Sequence, residues 1–484
     1  MPFHPEYARL VLEENFEDAR RLFLDPLLDI HAAHLVMLAE TGIVPRADAR
    51  ALRRALANID AGAVRAATFD AGCEDLFYFV ERLIAGAAGA NAAGHLHTAR
   101  SRNDIDMTLY RMRLRDDLLA LLDATLAVRR SLLEAADSHV DTIFPAHTHT
   151  QPAQPTTLGH YLLAVVEEVE RHAVRLVAAF ESTNRCPLGA CAITGTGFPI
   201  DRGRTAALLG FAAPTGNTYG SIATVDYVLE GVAAAAVTLV GLGRFVQDML
   251  LWCTREVGHV RLADGLVQSS SIMPQKRNPV ALEHARALAS KALAQAAAIP
   301  IVVHNTPFGD IVDTEDDLQP LLATMFRDAV RAVSLVAVAM DGAQFDVARM
   351  RARADEGFVT ITELADTLAR EHALPFQSAH AIAARLVEVA GAAGTAPTAE
   401  ALACASRETI GREIRWSDSA LASVLSPEHF VAVRRTPGGP APEVVREAIA
   451  RSRALFDVDL AALAARRGAL DAADRARAAA LAAL

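Results

Sequence analysis

The segment Ser269-Ser270-Ser271-Ile272-Met273-Pro274-Gln275-Lys276-Arg277-Asn278-Pro279 concentrates groups that could manage a small anion. It offers three hydroxyls, a run of backbone amides, an ammonium and a carboxamide. The apolar stretch from Val280 reads as a helix, whose N-terminus adds positive potential. Such a set suits the stabilisation of a doubly charged carbanion derived from a carboxylate. The same residues also fit a plain surface loop of small polar side chains. His149 reads either as a hydrogen-bonded core histidine or as a proton carrier, and Glu283 either as a solvated helix residue or as its partner. His95-x-His97 and His147-x-His149 have the spacing of metal ligands. No third ligand is evident and no H-E-x-x-H run occurs, so no metal is expected.

These groups need a scaffold, and the sequence points to helices. Ala, Leu, Arg and Glu dominate the 484 residues, and aromatics make up 5%. Proline-free stretches at Ile105–His139 and Ile222–Arg255, with two more helical stretches at about 280–298 and 318–340, predict a bundle of four long helices. The stretch 222–255 is apolar on most faces and must be buried among other helices, of this chain or of further copies. Pro and Gly mark loops at His147–Pro155 and Cys186–Gly203, and the polar segment Asp264–Pro279 is long enough to be functional. Boundaries near 104 and 357 give three regions: an N-terminal helical domain (1–104), a central bundle (105–357) and a small C-terminal helical domain (358–484). The expected fold is all-α.

Composition removes several function classes. Hydrophobic residues at 52% and charged residues at 22% describe a globular chain, and a net charge of −11 disfavours nucleic acid. The longest apolar run, Gly231–Gly243, is 13 residues, so no membrane span is expected. Five cysteines without a C-x-x-C pair, behind an N-terminus with no signal pattern, point to reduced thiols in a cytoplasmic protein.

The ordered string Ser-Ser-x-Met-Pro-x-Lys-x-Asn resembles the signature of the fumarase/aspartase superfamily, whose members cleave C–N or C–O bonds of succinyl compounds and release fumarate. His97-Thr98-Ala99-Arg100-Ser101-Arg102-Asn103-Asp104 is similar to the argininosuccinate-lyase pattern H-T-G-R-S-R-N-D. Thr148-His149-Thr150-Gln151-Pro152-Ala153-Gln154-Pro155, Pro187-Leu188-Gly189, Phe198-Pro199-Ile200-Asp201-Arg202 and Arg435–Pro442 resemble further motifs of that branch, so the likeness spans nearly the whole chain. It implies that Ser270 is the base that takes the Cβ proton, with Lys276 favouring its ionised form. Ser271, Lys276 and Asn278 would hold the aci-carboxylate, while Ser101, Arg102, Asn103, Thr148 and Gln151 would bind the succinyl group. His149, paired with Glu283, would pass a proton to the leaving nitrogen. A homotetramer with active sites shared between subunits is also implied, as is the absence of any cofactor.

The departures gather on the leaving-group side. The branch's S-D-R-D appears as Ala223-Thr224-Val225-Asp226, and its E-D-x-H as Glu74-Asp75-Leu76-Phe77. Its Y-N-K-D-L-Q-E-D-K resembles Phe308–Asp316, where Phe308, Asp313 and Asp316 stand for Tyr, Gln and Lys. Val225, Phe308, Asp310, Asp313 and Asp316 would then form an acidic pocket that repels the carboxylate of arginine and attracts a diamine. The preferred substrate is an N-(aminoalkyl)aspartate of the ethylenediamine-N,N'-disuccinate (EDDS) type. Argininosuccinate is the alternative, and an inactive, crystallin-like structural paralogue is a third reading of another class.

Overall fold

Apolar residues at helical spacing build an N-terminal layer from α1 (Leu24–Glu40), α2 (Arg46–Ala57) and α3 (Leu76–Ala88) in the computed structural model, which describes residues 3–484. Ile30, Leu35, Val36, Leu52, Val80 and Ile84 lie at its centre. Ile105, Leu109 and Tyr110 join the same core, although they already belong to the next helix. That helix, α4 (Arg102–Ser138), starts at a capping box in which the Ser101 N–H donates to Asp104 Oδ1 at 2.7 Å. Its 37 residues make it roughly 55 Å long.

Five helices form the bundle: α4, α5 (Leu158–Thr183), α6 (Asp226–Trp252), α7 (Val280–Val303) and α8 (Leu318–Asp341). Their ends can be matched contact by contact. At the amino end of α4, Arg111 donates to the Ser182 carbonyl near the end of α5 and lies over the Tyr227 ring at the start of α6. At the carboxyl end of α4, Arg130 pairs with Asp341, the last residue of α8, at 3.0 Å. There Tyr161 of α5 donates to Asp248 of α6 at 2.7 Å, and Arg286 of α7 donates to Gln247 of α6 at 2.8 Å. So the five helices alternate in direction: α5 and α7 start, and α6 and α8 end, at the carboxyl end of α4.

The expected helices are present with altered bounds. The start of α6 shifts from 222 to 226 because Thr218–Ala223 folds as a separate short helix. The end of α7 shifts from about 298 to 303, the helix passing through Pro300. The loop expected at 147–155 is instead the tip and second strand of an antiparallel hairpin, β1 (Ile143–Thr148) and β2 (Gln151–Thr157). Its two prolines lie on a two-stranded ribbon, where both strands are edges and a missing donor is tolerated. By length and composition α6 and α7 are apolar enough to cross a membrane, which corrects the expectation drawn from the 13-residue run. A helix carries apolar character across an isolated charge such as Arg244, at which a run-length count stops. Both pack in the bundle, but α7 keeps much of its apolar surface open in a single chain.

A third core, with Leu364, Leu368, Ile382, Leu386 and Leu402 inside, forms from α9 (Ile361–His372), α10 (Phe376–Ala393) and α11 (Ala399–Ile410). The last helix, α12 (Pro442–Ala482), runs back along the molecule. It pairs Arg453 with Asp137, Asp459 with the buried Arg129, Arg466 with Glu181 and Arg477 with Asp29 in α1.

Candidate active site

The amino end of α4 carries Ser101, Arg102 and Asn103 into a cavity of about 370 Å3, also lined by Tyr78, His97, Asp106, Asp310 and Glu315. The capping box fixes the first turn, and Asp104 strengthens it by accepting from the Gly189 and Cys191 amides at 2.8 and 3.0 Å. Ser101 Oγ donates to Asn103 Oδ1 at 2.5 Å, and Asn103 Nδ2 donates to Asp310 Oδ2. Arg102, expected to bind a succinyl carboxylate, already has carboxylate partners in this chain. Its guanidinium is held by Glu74 at 2.9 Å and Asp75 at 3.1 Å, with Asp106 at 3.9 Å. Burial works against its charge, yet Asp75, Asp106 and Glu74 together hold its pKa above the ordinary arginine value.

The wall is acidic, and burial is the main reason Asp106 and Glu315 resist ionisation. Burial raises Asp106 well above the usual carboxylate range, with Arg102 opposing and Asp316 adding to the rise. Burial, a hydrogen bond and repulsion from Asp310, and the charge of Asp316 push Glu315 up to about 8. Asp75 and Asp316 are raised by burial as well. Of the residues expected in the leaving-group pocket, Asp310 lines the cavity, and Asp316 lies beside it, 3.4 Å from the Tyr110 hydroxyl. Phe308 stacks on Tyr219 and is exposed. Asp313 is exposed in a short turn, Val312–Thr314, and Val225 caps the N-terminus of α6, so neither lines the cavity. Glu315, Asp106 and Tyr78 were not expected. The Glu-Asp pair 315–316 inside the matched 308–316 segment was the available signal for Glu315.

The remaining expected residues stand at the other end of the bundle. His149 and Thr150 form the two-residue tip of the β1–β2 hairpin, both with positive φ (50° and 62°), the geometry of a mirror-type hairpin turn. Thr148 and Gln151 flank the tip, and all four residues are exposed. Burial, helped by the charge of nearby His147, pushes His259 down to about 4, which places the hairpin beside the strand leading to the 264–279 loop. That loop is closed by a Gln268–Asn278 bridge and by Arg277, which pairs with Asp264 at 2.6 Å. Ser270 Oγ accepts from the Ile272 and Met273 amides at 3.3 and 3.2 Å. Ser271, Lys276 and Glu283 are exposed, and Ile272 at the loop tip is 82% exposed.

A single chain therefore does not bring its expected site residues together. Ser101, Arg102 and Asn103 lie at the start of α4, whereas Thr148, His149, Ser270, Lys276 and Glu283 lie beyond or beside its far end, roughly 50 Å away by helix length. Among the described residues, no group of three or more His, Cys, Asp or Glu is arranged to hold a metal ion. His95 is occupied by Asp48 at 2.8 Å.

Comparison with known proteins identifies the family. A family model described as lyase matches residues 28–294, and one described as argininosuccinate lyase C-terminal matches 358–432. The chain is 42% identical over 453 residues to argininosuccinate lyase 2 of Agrobacterium fabrum, covering 93% of this chain and 90% of that one. It is 39% identical over 447 residues to argininosuccinate lyase of Methanoculleus marisnigri, covering 92% and 90%. A solved EDDS lyase variant with bound fumarate superposes with a TM-score of 0.87 at 31% identity, covering 99% of this chain and 96% of that one.

Proposed function

Because the chain belongs to the fumarase/aspartase superfamily, in its argininosuccinate-lyase-like branch, and is a fumarate-releasing C–N lyase, we propose that it removes a cationic amine from an N-substituted L-aspartate at sites shared between subunits of a homotetramer. The observation that carries this reading is the separation of two complementary half-sites. One end of the bundle holds an acidic cavity with Ser101 and Asn103 on its rim. The other end presents Ser270, Ser271, Lys276, Asn278 and the N-terminus of α7, which suit a carboxylate. Antiparallel packing of bundles from different copies joins them, and the open apolar surface of α7 supplies a face for that packing.

In such a site the basic half pins the succinyl carboxylates. Ser270, as the alkoxide beside Lys276, takes the Cβ proton, and the resulting aci-carboxylate is held by Ser271, Lys276 and Asn278. The Cα–N bond then breaks, and the amine leaves against Asp106, Asp310 and Glu315. These carboxyl groups favour a diamine-type leaving group, such as that of EDDS, over arginine with its own carboxylate. Cleavage of argininosuccinate is the second reading, favoured by the 42% and 39% identical relatives of that name. Fumarate release, followed by ultraviolet absorbance, with both substrates side by side separates the two. A higher kcat/KM for argininosuccinate overturns the diamine preference. The proposed setting is a soluble, cytoplasmic enzyme that acts without a cofactor.

A further inference from the structure

We propose that Glu315 is the general acid that delivers a proton to the departing nitrogen, with Asp310 as the charged partner that keeps the proton in place. The inference rests on the proposed amine elimination and names a residue for a step that reading left to His149.

Asn103 Nδ2 donates to Asp310 Oδ2, which fixes the Asp310 carboxyl at the cavity wall. Glu315 is buried and within hydrogen-bonding reach of Asp310. Glu315 is buried and Asp310 is exposed, so of the two carboxyl groups Glu315 is the one whose charge is disfavoured. The proton therefore resides on Glu315, which lines the cavity together with Ser101 and Asn103. The surrounding charges keep it there. From its own segment Glu315 faces Asp310 and Asp316, and from α4 it faces Arg102, Asp106 and the Tyr110 hydroxyl; Glu74 and Asp75, from the turn before α3, pair with Arg102. His97 lines the same cavity and is held neutral by burial and by Arg100. One cation among these carboxylates leaves an excess of negative charge, and Glu315 stays protonated up to about pH 8.

The step balances. Ser270 as alkoxide takes the Cβ proton and becomes a hydroxyl. The substrate nitrogen reacts unprotonated: the electron pair of the broken Cα–N bond goes to it, and it takes the Glu315 proton and leaves as the neutral amine with one added N–H. Fumarate and a Glu315 carboxylate remain, and exchange of a proton from Ser270 to Glu315 through solvent restores the starting state.

The test compares the full-length wild type, Glu315→Gln and His149→Asn on two substrates, an N-alkylaspartate and an N-arylaspartate. Near neutral pH the nitrogen of an N-alkylaspartate is already an ammonium and departs with its own proton, whereas the nitrogen of an N-arylaspartate is neutral and must be given one. The expected result is a loss in kcat of about 100-fold or more for Glu315→Gln on the aryl substrate and only a few-fold on the alkyl one. In the wild type, kcat for the aryl substrate falls as pH rises past about 8, and Glu315→Gln lacks that limb. Equal losses on both substrates would mean that Glu315 only shapes the pocket, and would overturn the proposal. A leaving-group-dependent loss in His149→Asn instead would assign the proton to His149. If Glu315→Gln fails to assemble, the wild type alone decides, since an alkaline limb of equal size for both substrates also overturns it. A wild type that releases fumarate from neither substrate refutes the amine-elimination reading itself.

Discussion

Two variants, each damaged at opposite ends of the bundle, should restore one another. Asn103→Ala removes a rim group at the amino end of α4, and Ser270→Ala removes the proposed base in the loop at the far end. The roughly 50 Å between these positions in one chain, set by a helix of 37 residues, means that neither lesion touches the other's half-site. Each variant alone should lose about 100-fold or more in fumarate release. In a random 1:1 mixture each half-site is intact with a probability of one half, so about one quarter of the joined sites are whole. Co-expression with two affinity tags, followed by isolation of particles bearing both, gives the mixed assemblies for a fumarate assay. Recovery near a quarter of wild-type activity supports shared sites. Mixed particles no more active than either parent, with normal size on a column, would refute the argument that opposite ends of different copies meet.

Three further outcomes concern the scaffold. Arg129→Met removes a buried guanidinium that joins Asp459 of α12 to Glu170 of α5 at 2.6 and 2.7 Å. Because both carboxylates reach water, the loss should be about 2–4 kcal/mol, seen as a lower urea midpoint and earlier proteolysis of α12; an unchanged midpoint would contradict it. Gly241→Ala puts a methyl 2.6 Å from Glu168 Oε1 and 2.7 Å from His172 Nε2. The Glu168 carboxylate can swing aside but the buried imidazole cannot, so destabilisation of about 1–2 kcal/mol is expected by thermal denaturation. His34 is pushed down to about 3 by burial and by Arg100, so the folded chain holds it neutral while the unfolded chain binds a proton below about 6.5. Its contribution to stability is therefore complete above pH 6.5 and is lost as pH falls toward 3. His34→Gln should flatten that part of a plot of urea midpoint against pH, and an unchanged slope would remove His34 as the cause.

Much of the architecture was legible because it is local. Helix α4 is encoded by a proline-free amphipathic run, and its start by Ser101 and Asp104, a capping pair readable at three-residue spacing. The Ser-rich loop and the motif strings are local as well. What could not be read depends on residues far apart in the chain. Arg102 reads as a carboxylate clamp until Glu74 and Asp75, 28 and 27 positions earlier, arrive beside it. Asp310 reads as one acid among several until Asn103, 207 residues away, donates to it. Val225 and Asp313 were grouped with the pocket by motif position, and only the fold shows that they do not line it. Residues 147–155 of the hairpin were read as a loop because Pro152 and Pro155 are strand breakers everywhere except on a free edge. The placement of His149 and Arg102 at opposite ends follows from helix length and direction, which no motif records.

The path of α12 bears on how the molecule is made. Residues 480, 481 and 484 complete the apolar packing of the N-terminal layer, and Arg50 donates to the Leu484 carbonyl across 434 positions. During synthesis, α1 to α3 leave the ribosome hundreds of residues before the segment that covers them. That layer must wait with part of its apolar surface open to water, and chaperone occupancy on a nascent chain should persist there until residue 484 has emerged.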